Sequence, residues 1–262
     1  MLRTRVISAA VLLVIVMIPA ILGGWPFLAL IAAAAGLASW EYCKLLRQGG
    51  FQPSLALTAA LSLLFVAQAQ WPELLPLGLL LTVAVIGALL LALWRKTAQP
   101  ITEWALALAG ALYLGWLLGH ALALRAAPQG LLWLALAALA VWTDDVSAYF
   151  AGRAFGRHPW WPRHSPKKTW EGYLAGAAAT TLMVTLLGVY LVGIAWLEGL
   201  ALGLLLGLVT PLGDLAESML KRQVHAKDSS TLIPGHGGVL DRIDTLLIAI
   251  PIVYYWATLL PH

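Results

Sequence analysis

Apolar runs close to the ~20 residues that a helix needs to cross a bilayer recur from one end of this chain to the other. They cover about 6–22, 25–43, 55–70, 74–94, 104–124, 131–150, 173–196, 200–211 and 245–260. With only 11% of its residues charged, against roughly 25% in an ordinary soluble domain, the chain reads as an all-α, polytopic transmembrane protein of about nine spans. The first run is long for a signal-peptide core and lacks a small-x-small cleavage site, so it is taken as a span.

Basic residues orient these spans. With the N-terminus in the cytoplasm, 15 of the 16 Lys and Arg fall on cytoplasmic segments, and only Arg125 does not. An odd number of spans then leaves the C-terminus outside. Trp25, Trp40, Trp71, Trp94, Trp104 and Trp142 stand near run ends, as interfacial tryptophans do. The formal charge of +4 is thereby explained as positive-inside bias, and no nucleic-acid partner is expected. A single cysteine, Cys43, excludes an intrachain disulfide and a Cys-based metal cluster.

Polar residues divide the chain unequally. Residues 1–125, about five spans, carry few of them and read as a transmembrane scaffold; span two ends in the polar Glu41, Lys44 and Arg47. Residues 126–262, about four spans with cytoplasmic loops 151–171 and 213–244, hold nine of the 12 carboxylates and read as a catalytic membrane domain. Charges so close to membrane helices are costly unless they are paired or functional.

The densest group lies between Asp214 and Asp244. Asp214, Glu217, Ser218 and Lys221 recur at i, i+3, i+4 and i+7, one face of a helix continuing from the eighth span, with Arg222 at its border. A plain amphipathic helix end, with Glu217 and Lys221 as an ordinary ion pair, accounts for that spacing equally well. The run Pro234-Gly235-His236-Gly237-Gly238 cannot be regular helix. It is either a simple turn or a loop whose N–H groups approach an anion, and the flanking Lys227, His236 and Arg242 favour the anion. Asp241 and Asp244 open the ninth span at i, i+3, where Asp244 could be no more than a helix-start carboxylate.

A second group precedes it. Asp144, Asp145, Ser147 and Tyr149 mark the cytoplasmic end of span six, and the basic loop beyond runs through Arg153, Arg157, Arg163 and Ser165-Pro166-Lys167-Lys168-Thr169 to Glu171. Ser165 is expected to cap a helix begun by Pro166, gathering N–H groups and lysines around an anion. The bases could instead simply enforce topology or touch anionic headgroups. Carboxylates of this kind are hard ligands suited to Mg²⁺ on a phosphate substrate. Zinc spacing, a nucleophile elbow, a P-loop and a GxGxxG fingerprint are all missing from the sequence. Metal-assisted phosphoryl or nucleotidyl transfer at a membrane surface is what these residues leave.

Ser218-Met-Leu-Lys221-Arg222, then Lys227-Asp228, then Pro234-Gly235-His236-Gly237-Gly238-Val-Leu-Asp241-Arg242-Ile-Asp244 resembles the signature of the CDP-diacylglycerol synthase (phosphatidate cytidylyltransferase) family. Gly213-Asp214, Glu217, Asp145-Val-Ser-Ala148-Tyr149 and Ser165-Pro166-Lys167-Lys168-Thr169-Trp-Glu171-Gly172 fit it as well. The resemblance implies conversion of CTP and phosphatidate to CDP-diacylglycerol and pyrophosphate by a Mg²⁺-dependent homodimer in the cytoplasmic membrane. A second cation, the bilayer as partner and an active site facing the cytoplasm belong to the same expectation. It assigns Asp214 and Asp241 to metal, with Glu217, Asp244 and Asp145 as further candidates, and Lys221, Lys227 and Asp145 to catalysis beside them. Ser165, Lys168, Thr169, Ser218, Arg222, Gly235, His236, Gly237, Gly238 and Arg242 would bind substrate phosphates. Asp144, Lys167 and His225 occupy places where the family is expected to vary. Alternatives are a CTP-dependent kinase or nucleotidyltransferase for another membrane lipid and, from other classes, an ion-coupled transporter or a headgroup-binding scaffold. A transporter would place acids near mid-bilayer and show repeat symmetry, which this sequence lacks.

Overall fold

The structure is a computed structural model describing residues 2–235 and 237–259, with side chains described from residue 7 onward. Its helices are α1 (Leu2–Leu22), α2 (Gly24–Gln48), α3 (Leu55–Gln70), α4 (Leu77–Leu93), α5 (Pro100–Ala111), α6 (Leu117–Ala126), α7 (Gly130–Phe155), α8 (Trp170–Leu187), α9 (Trp196–Val209), α10 (Pro211–Gln223), α11 (Leu240–Ile243) and α12 (Leu246–Leu259). Short π-helical turns at Leu112–Trp116 and Gly188–Val192 join α5 to α6 and extend α8. Each apolar run is helical over most of its described residues. Among the described residues, six helical stretches are long and apolar enough to cross a membrane: Gly24–Gln48, Pro100–Ala126, Gly130–Phe155, Trp170–Val192, Trp196–Gln223 and Leu240–Leu259. Ile7–Leu22, Leu55–Gln70 and Leu77–Leu93 are shorter apolar helices.

One element departs from the all-α expectation. Strands β1 (Pro159–Trp161) and β2 (Ser165–Thr169) form an antiparallel hairpin, pairing Pro159 with Thr169 and Trp161 with Ser165. Ser165 therefore caps no helix. The helix begins five residues later, where Thr169, in an extended conformation (φ −122°, ψ 153°), accepts from the Gly172 N–H through its hydroxyl at 3.2 Å. Aromatic packing favours the hairpin: Trp160 stacks on Tyr173 of α8 at 4.2 Å and 17°, with Trp170 edge-on to both.

The chain divides into two compact units, Met1–Ala123 with Gln223–Ile243, and Leu124–Arg222 with Asp244–His262. The 213–244 stretch is thus shared: its helix and last residue belong to the second unit, its Gly-rich loop to the first. In the first unit, α3, α4 and α5 close over Leu61, Phe65, Leu80, Ala84 and Ala111. Helix α2 packs on α3 with a buried hydrogen bond from Ser39 Oγ to Ser62 Oγ at 3.0 Å. In the second unit, α8 lies between α7 and α9. Gly199, Gly203 and Gly207, one turn apart on α9, face Thr185, Thr181 and Ala177 of α8; a Cβ at any of them would fall within about 3 Å of α8 backbone. Small residues at such a seam let apolar helices approach where lipid supplies no hydrophobic drive between them.

Candidate active-site residues

The second unit gathers most of the expected acids and bases. Helix α10 follows α9 after a break at Thr210, and its first turn carries Asp214. Its i, i+4 geometry is realised as the spacing required: Ser218 Oγ donates to Asp214 Oδ1 at 3.2 Å, and Lys221 pairs with Glu217. Glu217 is fully buried, and Ser218 and Lys221 are nearly so. Asp244 sits in the break between α11 and α12, its Oδ1 capping Thr245 through N (2.8 Å) and Oγ1 (3.3 Å). Asp241 and Asp244 thus stand i, i+3 apart at the opening of the Leu240–Leu259 stretch, with the helix interrupted at Asp244 and Thr245. Gly213 makes the approach possible: a Cβ there would lie 2.7 Å from the Asp244 carbonyl oxygen and 3.0 Å from Thr245 Cα.

One carboxylate oxygen from each of Asp214, Glu217 and Asp244 comes within 4.8 Å of the other two. Like charges at that distance repel by roughly 3 kcal/mol per pair for an effective dielectric near 20. Lys168, from the end of β2, reaches Asp214 Oδ2 at 2.8 Å, and Lys221 holds Glu217. Asp244 has no ion pair among the described residues. Three acids against two cations leave a residual negative charge in a mostly buried, all-oxygen setting. That donor set fits a hard divalent cation better than a soft one.

Around this cluster the other expected residues are unevenly placed. Asp145 on α7 is exposed and lies outside the three-acid group, although its charge acts on Asp244. Its neighbour Asp144, set aside on sequence, is the buried one, 3% exposed, with an Oδ1 that has no hydrogen-bond partner among the described residues and points at Gly176 of α8. Helix rotation decides between them, and adjacency in sequence does not report it. Arg222 Nε donates to the His164 carbonyl oxygen in the hairpin turn at 3.3 Å. Ser165 and Thr169 lie in β2, where Thr169 caps α8.

The first unit holds the Gly-rich loop. Gly235 and Gly237 have φ of 78° and 79°, left-handed values that favour glycine, and Ile233 N donates to the Gly237 carbonyl at 2.8 Å. Asp241 Oδ2 accepts from Ser229 N (3.0 Å), Ser229 Oγ (2.7 Å) and Gly238 N (2.8 Å). The Gly238 N–H is therefore already donated inside the loop. His236 lies outside the described residues. Lys227 and Arg242 are exposed on either side of the loop. Sequence reasoning missed Glu41, which from α2 accepts four hydrogen bonds from residues 229–240. The available signal was one acid between Trp40 and Tyr42, inside an apolar run.

A family model described as the cytidylyltransferase family matches residues 3–260. The chain is similar to a phosphatidate cytidylyltransferase of Synechocystis, 36% identical over 98% of this chain and 96% of the relative. One from Pseudomonas aeruginosa is 38% identical over 96% and 95%, and one from Bacillus subtilis 29% identical over 97% and 96%.

Proposed function

Since the chain belongs to the cytidylyltransferase family, we propose that it is a phosphatidate cytidylyltransferase of phospholipid biosynthesis. A phosphate oxygen of phosphatidate attacks the α-phosphorus of CTP. The bond from that phosphorus to the bridging oxygen breaks, and pyrophosphate leaves with the electron pair. CDP-diacylglycerol is the other product. The nucleophile is already ionised near neutral pH, so no strong base is required. The task is to bring two polyanions together and stabilise the charge that moves onto the leaving group.

The observation that carries this reading is the group of Asp214, Glu217 and Asp244 with Lys168 and Lys221 bound into it. These three acids would hold Mg²⁺, which when bound offsets charge on the reacting phosphates. Lys168 and Lys221 contribute fixed positive charge at the same place, and Ser218 orients Asp214. Arg222, Arg242 and Lys227, with the hydroxyls of Ser165 and Thr169, are assigned to substrate phosphates. In the loop, Gly235, His236 and Gly237 are assigned to the nucleotide phosphates, with Gly238 shaping the backbone behind them. Asp241 is retained as a proposed cation ligand, and its Oδ2 bonds add a loop-shaping role. Asp145 is assigned a supporting electrostatic part. Residues 1–125 serve as scaffold and 126–262 as catalytic domain, in a homodimer in the cytoplasmic membrane.

Radiolabelled CTP incubated with purified protein, phosphatidate and Mg²⁺ is expected to yield lipid-linked CMP and pyrophosphate. A labelled product that forms equally well on an unrelated lipid acceptor, or no product at all, would overturn the assignment. The topology in this proposal is nine spans with the N-terminus and the polar loops in the cytoplasm. A reporter fused after His262 should be active only on the outer face, and cytoplasmic reporter activity refutes that count.

A further inference from the structure

Helix α2, in the part of the chain that reads as scaffold, carries a fully buried carboxylate whose hydrogen bonds all end on the Gly-rich loop segment. Glu41 is 0% exposed. Its Oε1 accepts from Ser230 Oγ at 2.6 Å and Val239 N at 3.0 Å, and its Oε2 from Leu240 N at 2.7 Å and Ser229 Oγ at 3.4 Å. Four donors meet the roughly four lone-pair sites of a carboxylate. No ion pair to Glu41 exists among the described residues. Two of the donors are N–H groups at the start of α11, which that short helix leaves without carbonyl partners of its own.

The bonds span both ends of the loop. Ser229 and Ser230 precede Pro234-Gly235, and Val239 and Leu240 follow Gly238, so one side chain ties entry to exit. Asp241 repeats the closure from α11 through Ser229 and Gly238. Ser8 of α1 donates to the Pro234 carbonyl at 3.0 Å, and Val224 packs where a Cβ on Gly49, just past the end of α2, would sit. A Cβ on Gly238 would collide with Glu41 Oε1 and Ser229 Oγ, so the glycine's lack of a side chain lets the carboxylate in. The N–H groups of residues 229, 232, 233, 238, 239 and 240 are all donated within this arrangement.

We propose that Glu41 is a positioning residue for nucleotide binding: it fixes the 229–240 segment so that the loop meets the CTP phosphates preformed. The inference rests on the proposed function, and through it on the loop's role in holding CTP. Glutamine cannot replace Glu41. Each carboxylate oxygen faces one backbone N–H that cannot turn away, so either orientation of the amide sets an NH₂ against a donor. Aspartate is one methylene too short to reach the same four groups.

The test measures KM for CTP and for phosphatidate separately, with thermal unfolding in detergent with and without CTP. Glu41→Gln is expected to raise the CTP KM roughly 10- to 100-fold, by analogy with losing the hydrogen-bonded partner behind a metal ligand. The phosphatidate KM should stay within about threefold. At a fixed CTP concentration the CTP-induced rise in unfolding temperature should shrink accordingly. Ser230→Ala, which deletes one donor and keeps the carboxylate, should shift the CTP KM in the same direction by less, and it serves where Glu41→Gln fails to fold. Glu103→Gln, at a buried acid of the same unit that pairs with Arg95 at 3.7 Å, controls for stability loss alone and should leave the CTP KM unmoved. Unchanged CTP KM and CTP stabilisation in both Glu41→Gln and Ser230→Ala, or equal effects on both substrates, would overturn the role. A wild-type protein that neither uses nor is stabilised by CTP would instead sink the functional reading beneath it.

Discussion

Asp244→Asn is expected to lower the turnover of CTP on the order of 10³-fold while leaving the protein folded. The magnitude corresponds to about 4 kcal/mol of transition-state stabilisation, the range for losing a metal-supported charge. Folding should survive because an asparagine oxygen can still accept from Thr245 N and Oγ1, the two bonds that Asp244 Oδ1 makes. What disappears is one of three negative charges crowded within 4.8 Å, and with it the imbalance that calls for a cation. Asp214→Asn should be at least as damaging, since Asp214 also anchors Lys168 and Ser218. Mg²⁺ titration of the residual activity is the decisive measurement. If Asp244→Asn keeps its rate within about tenfold of wild type, with an unaltered Mg²⁺ requirement, the metal belongs elsewhere.

Gly213→Val should cost about 10²-fold in activity without touching a charged group. Its side chain would press on the Asp244 carbonyl and the Thr245 backbone, which lie 2.7 Å and 3.0 Å from even a first Cβ. The start of α12 must then move away from α10 by an ångström or so, and displacements of that size at a reacting centre are worth about two orders of magnitude. Gly213→Ala should fall between Val and wild type. A parallel rise in the Mg²⁺ concentration needed for half-maximal rate separates displaced ligands from plain destabilisation. Wild-type rate and Mg²⁺ response in Gly213→Val would show that the close approach is not needed.

Much of the second unit was legible because its logic is local. Asp214, Glu217, Ser218 and Lys221 share a helical face by spacing alone, and the bonds from Ser218 to Asp214 and Lys221 to Glu217 follow from it. The hairpin was not legible, since strands of three and five residues containing two prolines carry no periodic signal and depend on Trp160 finding Tyr173. Asp144 and Asp145 could not be told apart, because which one is buried depends on how α7 is rotated against α8. Asp244 read as a helix-start acid and does stand just before α12; what the spacing could not report is how closely Gly213, 31 residues earlier, approaches its carbonyl. Glu41 was the largest omission. Its partners lie 188 to 199 residues away, and no window along the sequence connects a single acid at a span end with a distant pair of serines.

The tie between Glu41 and the 229–240 segment has a mechanical consequence. A loop fastened at both its ends to one side chain of α2 moves with that helix. Helices such as α2 accommodate changes in bilayer thickness by tilting, and a tilt of α2 is handed through Glu41 to the backbone beside Gly235 and Gly237. The geometry of the loop is thus tied to the orientation of α2, a helix long and apolar enough to cross a membrane.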